Sequence, residues 1–180
     1  MTQLLRAYGD ELISFLAFQL RDPTATDEAF AILAEDLWQG LPRFQWKASA
    51  RTWAYAVARH VAARYARAPH RRRERNLPLS QHQELSQVVQ SVRTSTVRYL
   101  QTETKTRMRE LRERLSPEDQ LLLVLRVNRG LSFRDAAMVM ADAPPDVSSD
   151  HLEREAARLR KRFERVKADL RRMAERDGIL

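Results

Sequence analysis

The chain has 180 residues, with 32 Lys and Arg against 24 Asp and Glu, giving a formal net charge of +8. It has no cysteine, which excludes a disulfide framework, a thiolate zinc site and cysteine catalysis. Only four glycines are present, and neither Walker nor Rossmann spacing occurs, so a phosphate-cradling loop is excluded too.

Residues 3–20 predict an amphipathic helix, with Leu5, Tyr8, Leu12, Phe15, Leu16 and Ala17 at helical spacing. Asp22-Pro23 breaks it. Residues 26–39 predict a second helix, with Thr24 or Thr26 as N-cap and Phe30, Leu33 and Leu37 as its apolar stripe. Gly40-Leu41-Pro42 ends it, and a loop through Ser49 follows. Residues 50–67 predict a third, Ala-rich helix with Trp53, Val57 and Val61 as core stripe, stopped by Pro69. Residues 74–104 lose periodicity and read as a linker, in which Val88, Val89 and Val92 suit docking or a short helix.

A helix begins near Thr104 and carries Met108, Leu111 and Leu115. Ser116-Pro117-Glu118-Asp119 is a strong helix start, with an N-cap Ser and Pro at the first position. That helix runs to Arg129, and Gly130 suits a left-handed C-terminal cap. Ser132 to Asp135 opens a short helix through about Met140, and Ala143-Pro144-Pro145 makes a turn. Ser148 or Ser149 caps a last long helix, roughly 150–175, with Leu152, Ala156, Leu159, Phe163, Val166 and Leu170 inward. No strand pattern occurs. The expected fold is all-α: an N-terminal helical bundle (1–73), a flexible linker (74–105) and a C-terminal helix-turn-helix bundle (106–180).

Charge is unevenly placed. Residues 1–42 carry two basic and seven acidic residues, whereas 43–73 carry nine basic residues and no acid. Residues 158–172 hold eight basic and two acidic residues. Solvated helix faces usually mix both signs, so these stretches point to phosphate-rich partners. In the last helix, Arg158, Arg160, Lys161, Arg162 and Arg165 are placed to reach phosphates and base edges. The same residues also fit a solvated, snorkelling Arg face. In the third helix, Arg51, Tyr55 and Arg59 form an i, i+4, i+8 stripe suited to single-stranded nucleic acid. Trp46 and Lys47 sit in the adjoining loop, where a ring and a cation suit an unstacked base.

The segment from Phe44 through Trp46, Ser49, Arg51-Thr52-Trp53 and Tyr55 to Arg59-His60 resembles the F-x(4)-S-[FA]-R-T-W-x-Y segment of ECF-type sigma factors. Leu115-Ser116-Pro117 to Arg126 and Gly130-Leu131-Ser132-Phe133 to Ala137 resemble that family's second domain. The resemblance implies a promoter-recognition subunit with core RNA polymerase as partner, through its β′ clamp helices and β flap, and with promoter DNA. An anti-sigma factor or other regulator is a further implied partner. The first domain would open the −10 element with Trp46, Lys47, Ser49, Arg51, Tyr55, Arg59, His60 and Arg64. The second would read the −35 element with Arg158, Arg160, Lys161, Arg162 and Arg165. Polymerase binding would fall to Glu28, Ala31, Glu35 and Asp36.

Two departures stand out. The family's acidic and Gln-bearing second helix is here Glu28-Ala29-Phe30-Ala31-Ile32-Leu33-Ala34, which keeps one acid and loses the Gln. The turn before the last helix, 141–150, is longer than the family's.

No catalytic residue, metal or cofactor is expected. The four His (His60, His70, His82 and His151) have no i, i+3 or i, i+4 pairing, and no nucleophile–base set stands out. No apolar run approaches the roughly 20 residues of a membrane span. The N-terminal stretch lacks a secretory signal's basic-then-apolar pattern, so a cytoplasmic protein is expected. Two alternatives stand beside the sigma reading. One is a stand-alone helix-turn-helix regulator, and the other a degenerate sigma-like chain held by an inhibitory partner.

Overall fold

A computed structural model describes residues 1–67, 86–92, 107–141 and 148–179. Among the described residues there are eight α-helices and no strand, as the all-α expectation requires. The chain divides into two compact units, Met1–Thr102 and Glu103–Leu180.

In the first unit, helix α1 (Thr2–Leu20) buries Leu5, Leu12, Ile13, Phe15 and Leu16. Arg21 closes it in the left-handed region, its N–H donating to the Ala17 carbonyl. Helix α2 (Pro23–Gly40) starts three residues before the expected Thr26. Its N-cap is Asp22, whose Oδ1 accepts the Ala25 N–H at 2.6 Å, and Pro23 fills the first helical turn. Asp-Pro therefore ends one helix and begins the next: Asp accepts an orphan N–H, while Pro has none to satisfy. Phe30, Leu33 and Leu37 are fully buried, as their spacing predicts.

Helix α3 (Ala50–Arg67) buries Val61 as expected, but its inward face is rotated from the expected stripe. Ala54, Tyr55, Ala58, Val61, Ala62 and Tyr65 are buried, whereas Trp53 and Val57 are only half-buried. The small alanines let α3 approach α1 and α2 closely, and two tyrosines fill the gaps left between them. Tyr55 meets Phe15 edge-on, with ring centroids 5.1 Å apart.

Residues 86–92 form helix α4, inside the stretch read as linker and within the first unit. Val88, Val89 and Val92 are buried. Val92 seats against Gly9 in the middle of α1, where a Cβ would lie 2.7 Å from Val92 Cγ2. A helix-interior glycine costs about 1 kcal/mol relative to alanine, and here it provides the notch for Val92.

In the second unit, helix α5 (Arg107–Glu113) is followed by α6 (Pro117–Leu123), whose N-cap is Ser116 as expected. The chain continues through a widened π turn, Val124–Asn128, with the Arg129 N–H donating to the Val124 carbonyl. Gly130 then takes the expected left-handed conformation, at φ +65°. Helix α7 (Phe133–Met140) is capped by Ser132, and helix α8 (Ser149–Arg176) by Ser148. The expected Pro144-Pro145 turn lies outside the described residues. Phe133 meets Phe163 at 5.7 Å, and Leu152, Ala156, Leu159 and Val166 are buried beneath α8, so α7 braces α8. Arg114 ties the end of α5 to Asp177, just past α8, at 2.6 Å.

Gly9→Ala should strengthen α1 locally but crowd Val92. Hydrogen exchange should show the amides of 86–92 losing protection several-fold while α1–α3 keep theirs. Unchanged protection of 86–92 would show that the notch does not hold α4.

Candidate nucleic-acid interface

The loop between α2 and α3 is anchored at both ends. On one side a 3-10 turn, Leu41–Arg43, follows Gly40. A Cβ on Gly40 would lie 3.0 Å from the Trp53 ring, so the ring packs directly over the end of α2. On the other side Ser49 caps α3: its Oγ accepts the Thr52 N–H at 3.0 Å and lies 2.8 Å from Thr52 Oγ1. Between these anchors, Phe44 is flanked by Trp53 (4.8 Å, stacked) and Trp46 (4.9 Å, tilted).

Trp46 is 73% exposed and sits at φ +57°. A left-handed conformation costs an L-residue about 1–2 kcal/mol, and bulky residues adopt it rarely. The Phe44 contact and the anchored loop ends hold it there. An outward-facing indole in a strained backbone is a pattern found at binding sites. Lys47 is exposed beside it. Ser49, by contrast, uses its hydroxyl locally as a cap.

The expected Arg51–Tyr55–Arg59 surface stripe is not a surface stripe. Tyr55 is 0% exposed, and its hydroxyl donates to Glu11 Oε2 at 3.0 Å. Arg51 donates to the same oxygen through Nε (3.0 Å) and Nη2 (2.8 Å). Its guanidinium lies 5.9 Å from the Tyr8 ring and 5.7 Å from the Tyr55 ring. Partial burial works against the charge on Arg51, but the hydrogen bond and charge of Glu11 outweigh it and raise its pKa above the ordinary value. Arg59 and His60 are half-buried on the flank of α3. Glu11 is not legible from local sequence, because its partner lies 40 residues away. Its local signal is no more than an acid on α1 near the helix's apolar stripe.

The residues expected to bind polymerase are also engaged within the unit. Asp36 accepts from Arg64 at 2.7 Å, which joins two residues that the resemblance placed in different sites. Glu28 accepts from the Tyr65 hydroxyl. Glu35 accepts from Gln39 at 3.0 Å. Ala31 is buried, at 5% exposure, so it faces the core and not a partner. It lies next to buried Phe30 and one turn before buried Ala34, which turns it inward.

On α8 the expected set divides. Arg162 points back to α6, donating to Asp119 (2.6 Å), Glu118 (2.7 Å) and Ser116 Oγ (3.4 Å). It pins the first turn of α6 and does not face outward. Arg160 lies 5.4 Å over the Phe133 ring and stays exposed. Arg158 pairs with Glu155 yet stays largely exposed. Lys161 and Arg165 are exposed. Arg154 is exposed too, and Arg154, Arg158, Lys161 and Arg165 follow one another at helical spacing, opposite Leu152, Ala156 and Leu159. The 4-3-4 spacing is legible in the sequence, but Arg154 lies just outside the charge-dense 158–172 stretch.

Among the described residues, no group of three or more His, Cys, Asp or Glu gathers as a metal site, and no helix is long and apolar enough to cross a membrane.

Residues 4–73 match the family model for sigma-70 region 2, a match that takes in α1, α2 and α3. No curated protein and no solved structure matches the chain.

Asp119 accepts from both Arg162 and Ser116. Burial raises its pKa, but these bonds and the charge of Arg162 outweigh it and lower the pKa below the ordinary carboxylate value. A carboxyl with a lowered folded-state pKa stabilises the fold above its unfolded pKa of about 3.9, and that contribution is lost as pH falls through the lower folded value. Asp119→Asn should therefore melt earlier than the parent at neutral pH, with the gap closing in acid. A melting-temperature gap constant from pH 7 into the acid range would contradict this.

Proposed function

We propose, from the sigma-70 region 2 domain at residues 4–73, that this chain is a two-domain sigma factor of the ECF type. It has no catalytic role of its own and lends promoter specificity to core RNA polymerase in the cytoplasm. The N-terminal unit opens the −10 element, and the exposed Trp46 loop takes an unstacked base. The carrying observation is that this match coincides with a rigidly anchored loop presenting a strained, exposed indole. A base stacked on an aromatic ring contributes about 1–3 kcal/mol, enough to offset the unstacking of a base at an opening duplex. Lys47 and the basic flank of α3 supply phosphate contacts.

The C-terminal unit reads the −35 element through α8, with Arg154, Arg158, Lys161 and Arg165 as the outward set and the exposed Arg160 beside it. A helix presenting a row of cations opposite its packed face suits a major groove. The α2 surface bearing Glu28, Glu35 and Asp36 meets the β′ clamp helices, and the C-terminal unit meets the β flap. An anti-sigma factor or similar regulator controls the chain.

A second reading has one specific support. Glu28 and Asp36 already hold Tyr65 and Arg64, which suits a sigma-like chain kept from polymerase by an inhibitory partner.

Gel filtration with purified bacterial core polymerase at moderate salt separates the two. Stoichiometric co-elution is expected from a sigma factor. Failure to co-elute with DNA binding intact would favour the inhibited-chain reading. Within the co-eluting complex, Trp46→Ala should suppress permanganate reactivity at the −10 region without loss of polymerase binding. Undiminished reactivity would remove Trp46 from the opening step.

A further inference from the structure

Arg51 belongs to a stretch of nine basic residues and no acid, the part of the chain with most affinity for phosphate. Yet it is held by an acid from α1. Nε and Nη2 of Arg51 both donate to Glu11 Oε2, and Tyr55 donates to that oxygen as well. Two guanidinium donors converging on one oxyanion is also how arginine grips a backbone phosphate. The pair is not sealed: the Arg51 and Glu11 side chains are 25% and 35% exposed. Arg51 begins α3, two residues past Ser49 and the capped end of the Trp46 loop. A strand whose base reached Trp46 would bring its phosphates to this end of α3.

We infer that Glu11 is an internal stand-in for a phosphate. In the free protein it holds Arg51 at the mouth of the loop, and it yields Arg51 to the backbone of an arriving single strand. This rests on the reading of the N-terminal unit as a single-strand binder. Three features make the exchange physically reasonable. The carboxylate and a phosphate oxygen accept the same two donors. The Tyr8 and Tyr55 rings flank the guanidinium on the protein side, so it needs only a small reorientation. Tyr55 keeps its Glu11 bond throughout, so the core does not open. The consequence is restraint: the basic stretch is partly neutralised until a strand competes successfully for Arg51. Glu11 acts here as a positioning residue, through Arg51, and does not itself touch the strand.

The test is a double-substitution cycle on the full chain, with Glu11→Gln, Arg51→Gln and the pair. Binding of a short fluorescein-labelled single-stranded oligodeoxynucleotide is read by anisotropy across a salt series. Glu11→Gln keeps an acceptor for Tyr55 but removes the competing charge. It should tighten binding several-fold with the salt slope unchanged, because Arg51 no longer has to leave a competing charge. Arg51→Gln should flatten the dependence of log affinity on log salt by about 0.7, the loss of one phosphate contact on a single strand. In the Arg51→Gln background Glu11→Gln should not tighten binding. Equal gains in both backgrounds would assign the effect to overall charge and overturn the inference. So would an unchanged affinity of Glu11→Gln at an unchanged melting temperature. If Glu11→Gln lowers the melting temperature, the slope of Arg51→Gln decides: an unchanged slope there overturns the inference equally. No salt-dependent binding by the parent chain would sink the single-strand reading itself, a result distinct from failure of the cycle.

Discussion

Two carboxylates hold the N-terminal unit in register: Glu11 on α1 and Glu28 on α2, each taking a tyrosine hydroxyl from α3. A tyrosine can be buried only if its hydroxyl finds a partner. Because Tyr55 and Tyr65 find theirs on opposite neighbours, α3 cannot roll about its axis without orphaning one of them. Arg51 and Arg64 bind Glu11 and Asp36 at the same two ends. The acidic first 42 residues and the basic stretch that follows thus neutralise each other across the helix interfaces. This setting of α3 decides where the loop before it points.

Apart from Arg21 at the end of α1, that loop is where the described residues of the unit depart from relaxed geometry. Gly40 lets Trp53 close over the end of α2, and the Ser49 cap fixes the start of α3. With both ends tied, the few residues between them project Trp46 outward at a positive φ. Strain of this kind persists only where the surroundings over-determine it. Here they do so through the Phe44 ring and the two anchors. The rest of the unit is a conventional apolar core of leucines and phenylalanines, and it contributes rigidity rather than chemistry.

The C-terminal unit solves a different problem with similar means. A 28-residue helix rich in arginine must keep one face packed while carrying cations on the others. Arg162 flanks the packed face and is used inside the unit, on Asp119. The outward row of Arg154, Arg158, Lys161 and Arg165 is left to meet a partner, with Arg160 exposed beside it over the Phe133 ring. Charge density along the sequence is therefore a poor guide to available charge. Which cations are available depends on where α6 and α7 place their acids and rings.

The sequence alone determined the fold class, most helix bounds and the caps of the C-terminal unit. These depend on neighbours within a few residues: Ser116, Ser132 and Ser148 each bond the N–H three positions on, and Gly130 relieves a local backbone conformation. The Phe44–His60 segment also pointed to the family that residues 4–73 match. Tertiary structure alone decided which face of α3 is inside, that Tyr55 is core and not surface, and that Ala31 is covered. It also paired Arg64 with Asp36, turned Arg162 inward and seated α4 in the Gly9 notch. Each of these rests on a partner far along the chain. Alanine, tyrosine and arginine are ambiguous residues: small, amphipathic or long, they suit core and surface alike. Only the groups that come to lie opposite them settle which, and no local pattern encodes those.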